Sequence, residues 1–268
     1  MERIGRCCSA IREWEQYAED NSGAVAPDSR LAADDALNRS FPASTAAWSS
    51  IAVAIDHLGL ADDSLSREGG ARLHPFAFQA VCRSALVAAS QALWVLTGGR
   101  DTRLRRLQLI QIEDTEKALG FLQDYSRDET LADDVSAEFI AALSERVSSY
   151  TAELKRLKKE VRPQRGEYNV TRTLRDAAAY VATQRPGDPW LLRAYVSEWR
   201  MASASAHARL WQSEILPHED IPLVGTGQRL RLTTGTPQSY GMSLSAAVMA
   251  TEEALKLWHA HSSSPTTN

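Results

Sequence analysis

Between Ser84 and Gly99 the chain carries no charged side chain, and that run limits the fold more than any other feature. Apolar residues lie nearly all round the helix axis there rather than marking one stripe, so Leu73 to Leu96 reads as a central helix. Such a helix needs neighbours all round it, and amphipathic helices supply them most simply. The run contains Ser and Gln and falls short of the roughly 18–20 apolar residues that a membrane span needs. Gly98-Gly99 follows, offering residues that accept positive φ, and ends the helix.

The rest of the chain supplies the neighbours. Ile4, Cys8, Ile11, Trp14 and Ala18 share one face of a first helix. A second helix spans about Ser44 to Leu58, followed by the polar stretch ADDSLSREGGAR. Asp101 can cap a helix running to about Tyr125, and Thr130 with Asp133 resembles a capping box for the next. That next helix places Val135, Phe139, Leu143, Val147, Tyr150, Leu154, Leu157 and Val161 in steps of three and four. The spacing suits a long helix packed along another, and Pro163 and Gly166 stop it, so the two form an αα-hairpin. A helix over about Val170 to Thr183 leads to QRPGDP. There Asp188 and Pro189 open a helix running from Trp190 to about Ser213. Between Pro217 and Pro237, IPLV, GTGQ and RLRLT read as a β-hairpin. A last helix, about Met242 to His259, precedes the tail SSSPTTN.

These elements predict an all-α fold, a helical bundle with a long αα-hairpin and a small β-hairpin insertion before the C-terminal helix. The expectation is one domain over 1–268, with the bundle core at about 73–213. The N-terminal helices (1–60) and the C-terminal hairpin plus helix (217–261) pack on it. Ten prolines and fourteen glycines are few for an all-β sandwich of this length. A net charge of −4 gives no global attraction to nucleic acid, so such a partner needs a local patch. Three cysteines without metal or disulfide spacing, and an N-terminus without an apolar signal core, fit a cytoplasmic protein with no membrane association. No cofactor and no metal site is expected.

One constellation carries chemistry. Seven residues make almost two helical turns, so Arg193, Arg200 and His207 lie within about 20° of each successive neighbour. Ser197 and Ser203 fall near the same stripe. The segment RMASASAH is rich in small side chains, which lets a ligand or a second helix approach the backbone. Cleavage of RNA by its own ribose hydroxyl needs a proton acceptor and a group that neutralises charge growing on phosphate. Imidazole and guanidinium suit those two tasks.

Arg200 and His207 form an Arg-x6-His motif that resembles the HEPN superfamily of helical proteins, and SASAH resembles a bacterial HEPN-like branch. The resemblance covers about Leu73 to Ser213 and its motif about eight residues. It implies a bundle that dimerises, with Arg and His of both subunits facing a shared cleft. It further implies a metal-independent endoribonuclease of a toxin or defence system. His207 would then be the general base, Arg200 the phosphate clamp and Ser203 a supporting polar group. Two features depart from active members: Met201 stands where a polar residue is usual, and the spacing of six is at the long end.

A second basic group adds to this. Arg100, Arg103, Arg105 and Arg106 begin one arm of the αα-hairpin, while Lys155, Arg156, Lys158, Lys159, Arg162 and Arg165 end the other. An antiparallel hairpin brings both to one end, so Arg103, Arg106, Lys155, Lys158 and Lys159, with Arg193, are candidate phosphate or anion ligands. Three readings follow: a ribonuclease, a non-catalytic interaction or dimerisation protein, and an anion-binding regulator. The first requires Arg200 and His207 exposed in a cleft; the second has them buried or facing apart. Possible partners are RNA, another protein and a second copy. Glu113, Asp114 and Glu116 read as a solvated face rather than a metal site.

Overall fold

The computed structural model describes residues 2–67, 74–127, 136–188, 191–209, 211–215, 218–222, 225, 229–233 and 237–264. Within them the chain forms α1 (Glu2–Asp20), α2 (Arg30–Asp35), α3 (Ala43–Ser66), α4 (Pro75–Leu96), α5 (Arg100–Ser126) and α6 (Ala137–Val161). Then come α7 (Val170–Gln184), α8 (Leu191–Ala206), α9 (Trp211–Ile215), β1 (His218–Pro222), β2 (Arg229–Thr233) and α10 (Pro237–Ser262). The fold is an all-α bundle with one two-stranded antiparallel insertion before α10.

The charge-free run sits where its composition requires. α4 packs against α3, α10, α8, α7 and α5, and Ala85, Leu86, Ala89, Ala92, Leu93 and Leu96 are buried around it. By length and composition Phe76–Leu96 could also cross a membrane; here half of it is buried against the other helices, and Arg83, Val87, Ala88 and Gln91 stay partly open on one side. α3 is longer than the sequence suggests, because its helix continues through Ala61–Ser66, where Asp62 accepts from Arg12 (2.7 Å) and Ser66 (2.9 Å). α10 likewise starts earlier, at Pro237, and ends later, at Ser262. Both line the core through Ala47, Ile51, Leu58, Leu244, Ala247 and Trp258, so the core is not confined to 73–213.

α5 and α6 make the expected αα-hairpin. Ser136 caps α6 by accepting from the Phe139 backbone N–H (3.2 Å); the Thr130–Asp133 box lies outside the described residues. Gly99, not Asp101, is the N-cap of α5. The apolar stripe on α6 is buried only at its root, at Leu157 and Val161. Toward the tip Phe121, Tyr125, Phe139 and Ile140 are exposed, Phe121 by 69%. In the insertion β1 is His218–Pro222 rather than IPLV, with Ile221 opposite Leu230.

α8 ends sooner than the sequence suggests. Ala208 takes φ +50°, and the Arg209 N–H returns to the Ala204 carbonyl (2.9 Å), closing the helix. α9 is therefore a separate turn, and His207 stands at the C-terminal end of α8. The opening residues Pro189 and Trp190 lie outside the described residues.

Candidate functional site

α8 is fastened to α4 by hydroxyls. Tyr195 and Ser90 share a hydrogen bond of 2.6 Å in the core, both fully buried. The Arg83 Nε donates to Ser203 Oγ (2.8 Å), and Ser203 donates to the Trp199 carbonyl (2.7 Å). Ser205 donates to Gln79. From α10, Ser243 donates to the Glu198 carboxylate (2.6 Å), whose acid burial pushes up. Ala202 and Ala204 are buried between these bonds, so the small residues of RMASASAH serve close helix packing on one side of α8.

The other side is open. Arg193, Arg200 and His207 are all exposed, on the stripe their spacing gives, with Arg200 and His207 about 10 Å apart along the axis. Ser203 lies between them, half-buried and held by Arg83. The structure thus leaves Arg200 and His207 exposed on one stripe, while Ser203 turns to α4 and is engaged by Arg83. It adds Arg83, a residue that no motif marks. Arg83 is nevertheless the single charged residue between His74 and Arg100, and a lone cation in a core helix is itself a signal.

Arg83 also lies on the rim of a groove of about 510 Å³ between α3, α4 and α5. Phe41, Val53, Val87, Ala88 and Ile110 form its apolar surface, and Asp114 and Gln91 also line it. Arg200 and His207 do not line this groove. Both stay exposed on α8, clear of that groove.

The hairpin arginines are differently placed. The root of α5 and the end of α6 do meet, since Arg105 donates to the Val161 carbonyl. Arg103, however, is buried, donating to Asp34 (2.8 Å) and to the Gly98 carbonyl (3.0 Å). Arg106 donates to the Trp94 and Thr97 carbonyls (2.8 and 3.1 Å) and lies over the Trp94 ring. Lys158 is paired with Glu116. Those three are engaged internally, and an anion would have to displace their partners. Lys155 and Lys159 stay exposed with no ion pair among the described residues. Of the acidic trio, Glu116 pairs with Lys158 and Glu113 with Lys117 (3.7 Å). Among the described residues no three His, Cys, Asp or Glu side chains converge as a metal site.

No family model matches this chain, and neither a curated protein nor a solved structure is similar to it.

Proposed function

We propose that the α8 face is the working surface of a HEPN-like, metal-independent endoribonuclease, with His207 as base, Arg200 as phosphate clamp and Ser203 as a supporting hydroxyl. The observation that carries the reading is the joint exposure of Arg200 and His207 on one stripe, with Ser203 pinned between them by Arg83. In this reaction His207 takes the proton of a ribose 2′-hydroxyl, whose oxygen attacks the adjacent phosphorus. The 5′-oxygen leaves and takes up a proton from water, giving a cyclic phosphate and a free 5′-hydroxyl. Arg200 neutralises the charge that grows on the phosphoryl oxygens. A second copy facing α8 with α8 would bring two such faces together around one shared cleft.

The test is cleavage of total RNA and of defined transfer-RNA pools in excess EDTA, beside His207→Ala. The expected loss is about 10²–10⁴-fold, the usual weight of a general base. Equal cleavage by both proteins, or none by either across those substrates, overturns the reading.

A second reading, an interaction protein, is favoured by the exposed rings at the hairpin tip. Phe121 and Tyr125 stack at 6.1 Å, and Tyr125 meets Phe139 edge-on at 6.1 Å. An exposed apolar cluster of this kind is characteristic of contact surfaces.

A further inference from the structure

We infer that the exposed side of the hairpin root, where α6 ends and α7 begins, binds the phosphate backbone of a single-stranded nucleic acid. The chain as a whole has a net charge of −4, yet positive charge collects here. Lys155, Lys159, Arg162, Arg165, Arg172 and Arg175 are exposed, and among the described residues none of them has an ion-pair partner.

The nearby acids serve other bases. Glu160 and Glu167 are the carboxylates between Lys155 and Arg175. Glu160 and Glu153 both hold Arg156 (2.6 Å), and Glu167 holds Arg105 (2.7 Å). From α5, Glu116 pairs with Lys158 and Glu113 with Lys117, while Asp114 lines the groove beside α3 and α4. Asp176 faces Arg106 (3.8 Å).

The six bases are also held in order. Lys155, Lys159 and Arg162 follow steps of four and three, so they share one stripe of α6. Past the left-handed Arg162, a single side chain fixes the turn. Arg105 donates to the Val161 and Arg162 carbonyls and to both Glu167 oxygens. Arg172 reaches back to the Glu167 carbonyl (3.2 Å), so Arg162 and Arg172 flank one Arg105–Glu167 pair. Bases at the end of α6 are explained by the helix dipole alone. Arg172 is not: it stands in the first turn of α7, the positive end, where a cation is disfavoured and an anion welcome.

The chemistry of the partner follows from what surrounds the charges. Val170 is the one large apolar side chain exposed between Lys155 and Arg175. A protein partner would need aromatic or aliphatic anchors, and a membrane surface would take inserted Trp, Phe or Leu. A phosphate backbone asks for charge, and the guanidinium fork matches it. This surface needs neither Arg200 nor His207, and its test reads binding rather than cleavage.

The experiment is fluorescence anisotropy of the full chain with oligo(dT) and oligo(U) of about 16 nucleotides. Both should saturate with a Kd on the order of 10 µM at about 50 mM salt. They should agree within about threefold, because phosphate contacts do not read the base or the 2′-hydroxyl. Lys159→Ala with Arg172→Ala should flatten the salt dependence by about 1.4, at about 0.7 per phosphate contact. Lys159→Glu should weaken binding about tenfold, whereas Arg146→Glu, the same reversal elsewhere on α6, should change it by less than about twofold. Circular dichroism confirms that each variant keeps its helices. Absence of saturable binding to the unmodified chain overturns the proposal, as does an equal effect of Arg146→Glu, which would make net charge the cause. Displacement of the oligonucleotide by poly-L-glutamate, or by phosphatidylserine vesicles at matched charge, as readily as by unlabelled strand also overturns it.

Discussion

At the root of the αα-hairpin the Arg103 side chain is 8% exposed and its guanidinium rests on Asp34, itself 0% exposed. On α8, Arg200 projects into solvent from a helix whose opposite side is bolted to α4. The same side chain does architecture in one place and remains open for chemistry in the other. What separates them is the carboxylate brought by tertiary structure. α2 exists to deliver that carboxylate: Ser29 caps it by accepting from the Ala32 N–H (3.1 Å), and Leu31 and Asp34 are its buried residues. A count of arginines along the chain cannot see this difference, because both sets look equally basic.

Substituting each arginine is the most forceful way to break the comparison. Arg103→Ala leaves the buried Asp34 with Arg100 alone, at 3.5 Å and 58% exposed, as its cation, so the loss should approach the ~3–5 kcal/mol typical of removing one partner of a buried pair. Chemical denaturation should show that loss, or a chain that no longer folds. Arg200→Ala should move stability by no more than about 0.5 kcal/mol, as an exposed substitution, while lowering RNA cleavage by about 10²–10³-fold, the weight of one charge-stabilising donor. If Arg200→Ala destabilises the fold as Arg103→Ala does, the division between the two settings fails.

How much of this was legible in the sequence depends on the range of the interaction. The central helix was, because a charge-free run can only be satisfied by burial. The pairing of α5 with α6 was, from the stops at Pro163 and Gly166. The shared face of Arg200 and His207 was, since helical period alone decides it. α2 was not: six residues are too few to show a period. The break in α8 was hidden because Ala208 is an ordinary helix former and no glycine announces the left-handed residue. The link from Arg83 to Ser203 joins residues 120 positions apart, and nothing local marks it. The basic end of the hairpin misled for the same reason, since Asp34 and Asp176 reach it from other helices.

A gentler test of the hairpin root uses pH. His261, near the end of α10, is buried 7% exposed, with Nδ1 lacking a hydrogen-bond partner. Its pKa is lowered first by burial, then by Arg103 and Arg30, with Asp34 opposing. The neutral ring is therefore favoured in the fold, whereas the unfolded chain takes up a proton near pH 6.5. Where the unfolded state binds more protons, stability rises with pH. This contribution is fully present above the unfolded pKa and is lost as pH falls below it. Denaturation at pH 7.5 and 5.5 should therefore show a smaller drop in His261→Gln than in the unmodified chain. An equal drop means that His261 is not held neutral beside Arg103.

The smallest effect expected lies at the other pole of the comparison, where α8 stops. Ala208 holds φ at +50°, a conformation that puts an L residue's Cβ close to its carbonyl and costs roughly 1–2 kcal/mol. Glycine escapes that cost but loses more entropy on folding. Ala208→Gly should therefore stabilise the chain by about 0.5–1 kcal/mol, read as a rise in denaturant midpoint at constant slope. Ala208→Val should do the reverse, since a β-branched side chain tolerates positive φ least. Because the turn holds His207 at the end of α8, the glycine variant also sharpens the proposal for that face. RNA cleavage should stay the same if Ala208 merely ends the helix. It should fall if the stiffness of alanine at this turn helps aim His207 along the stripe shared with Arg200.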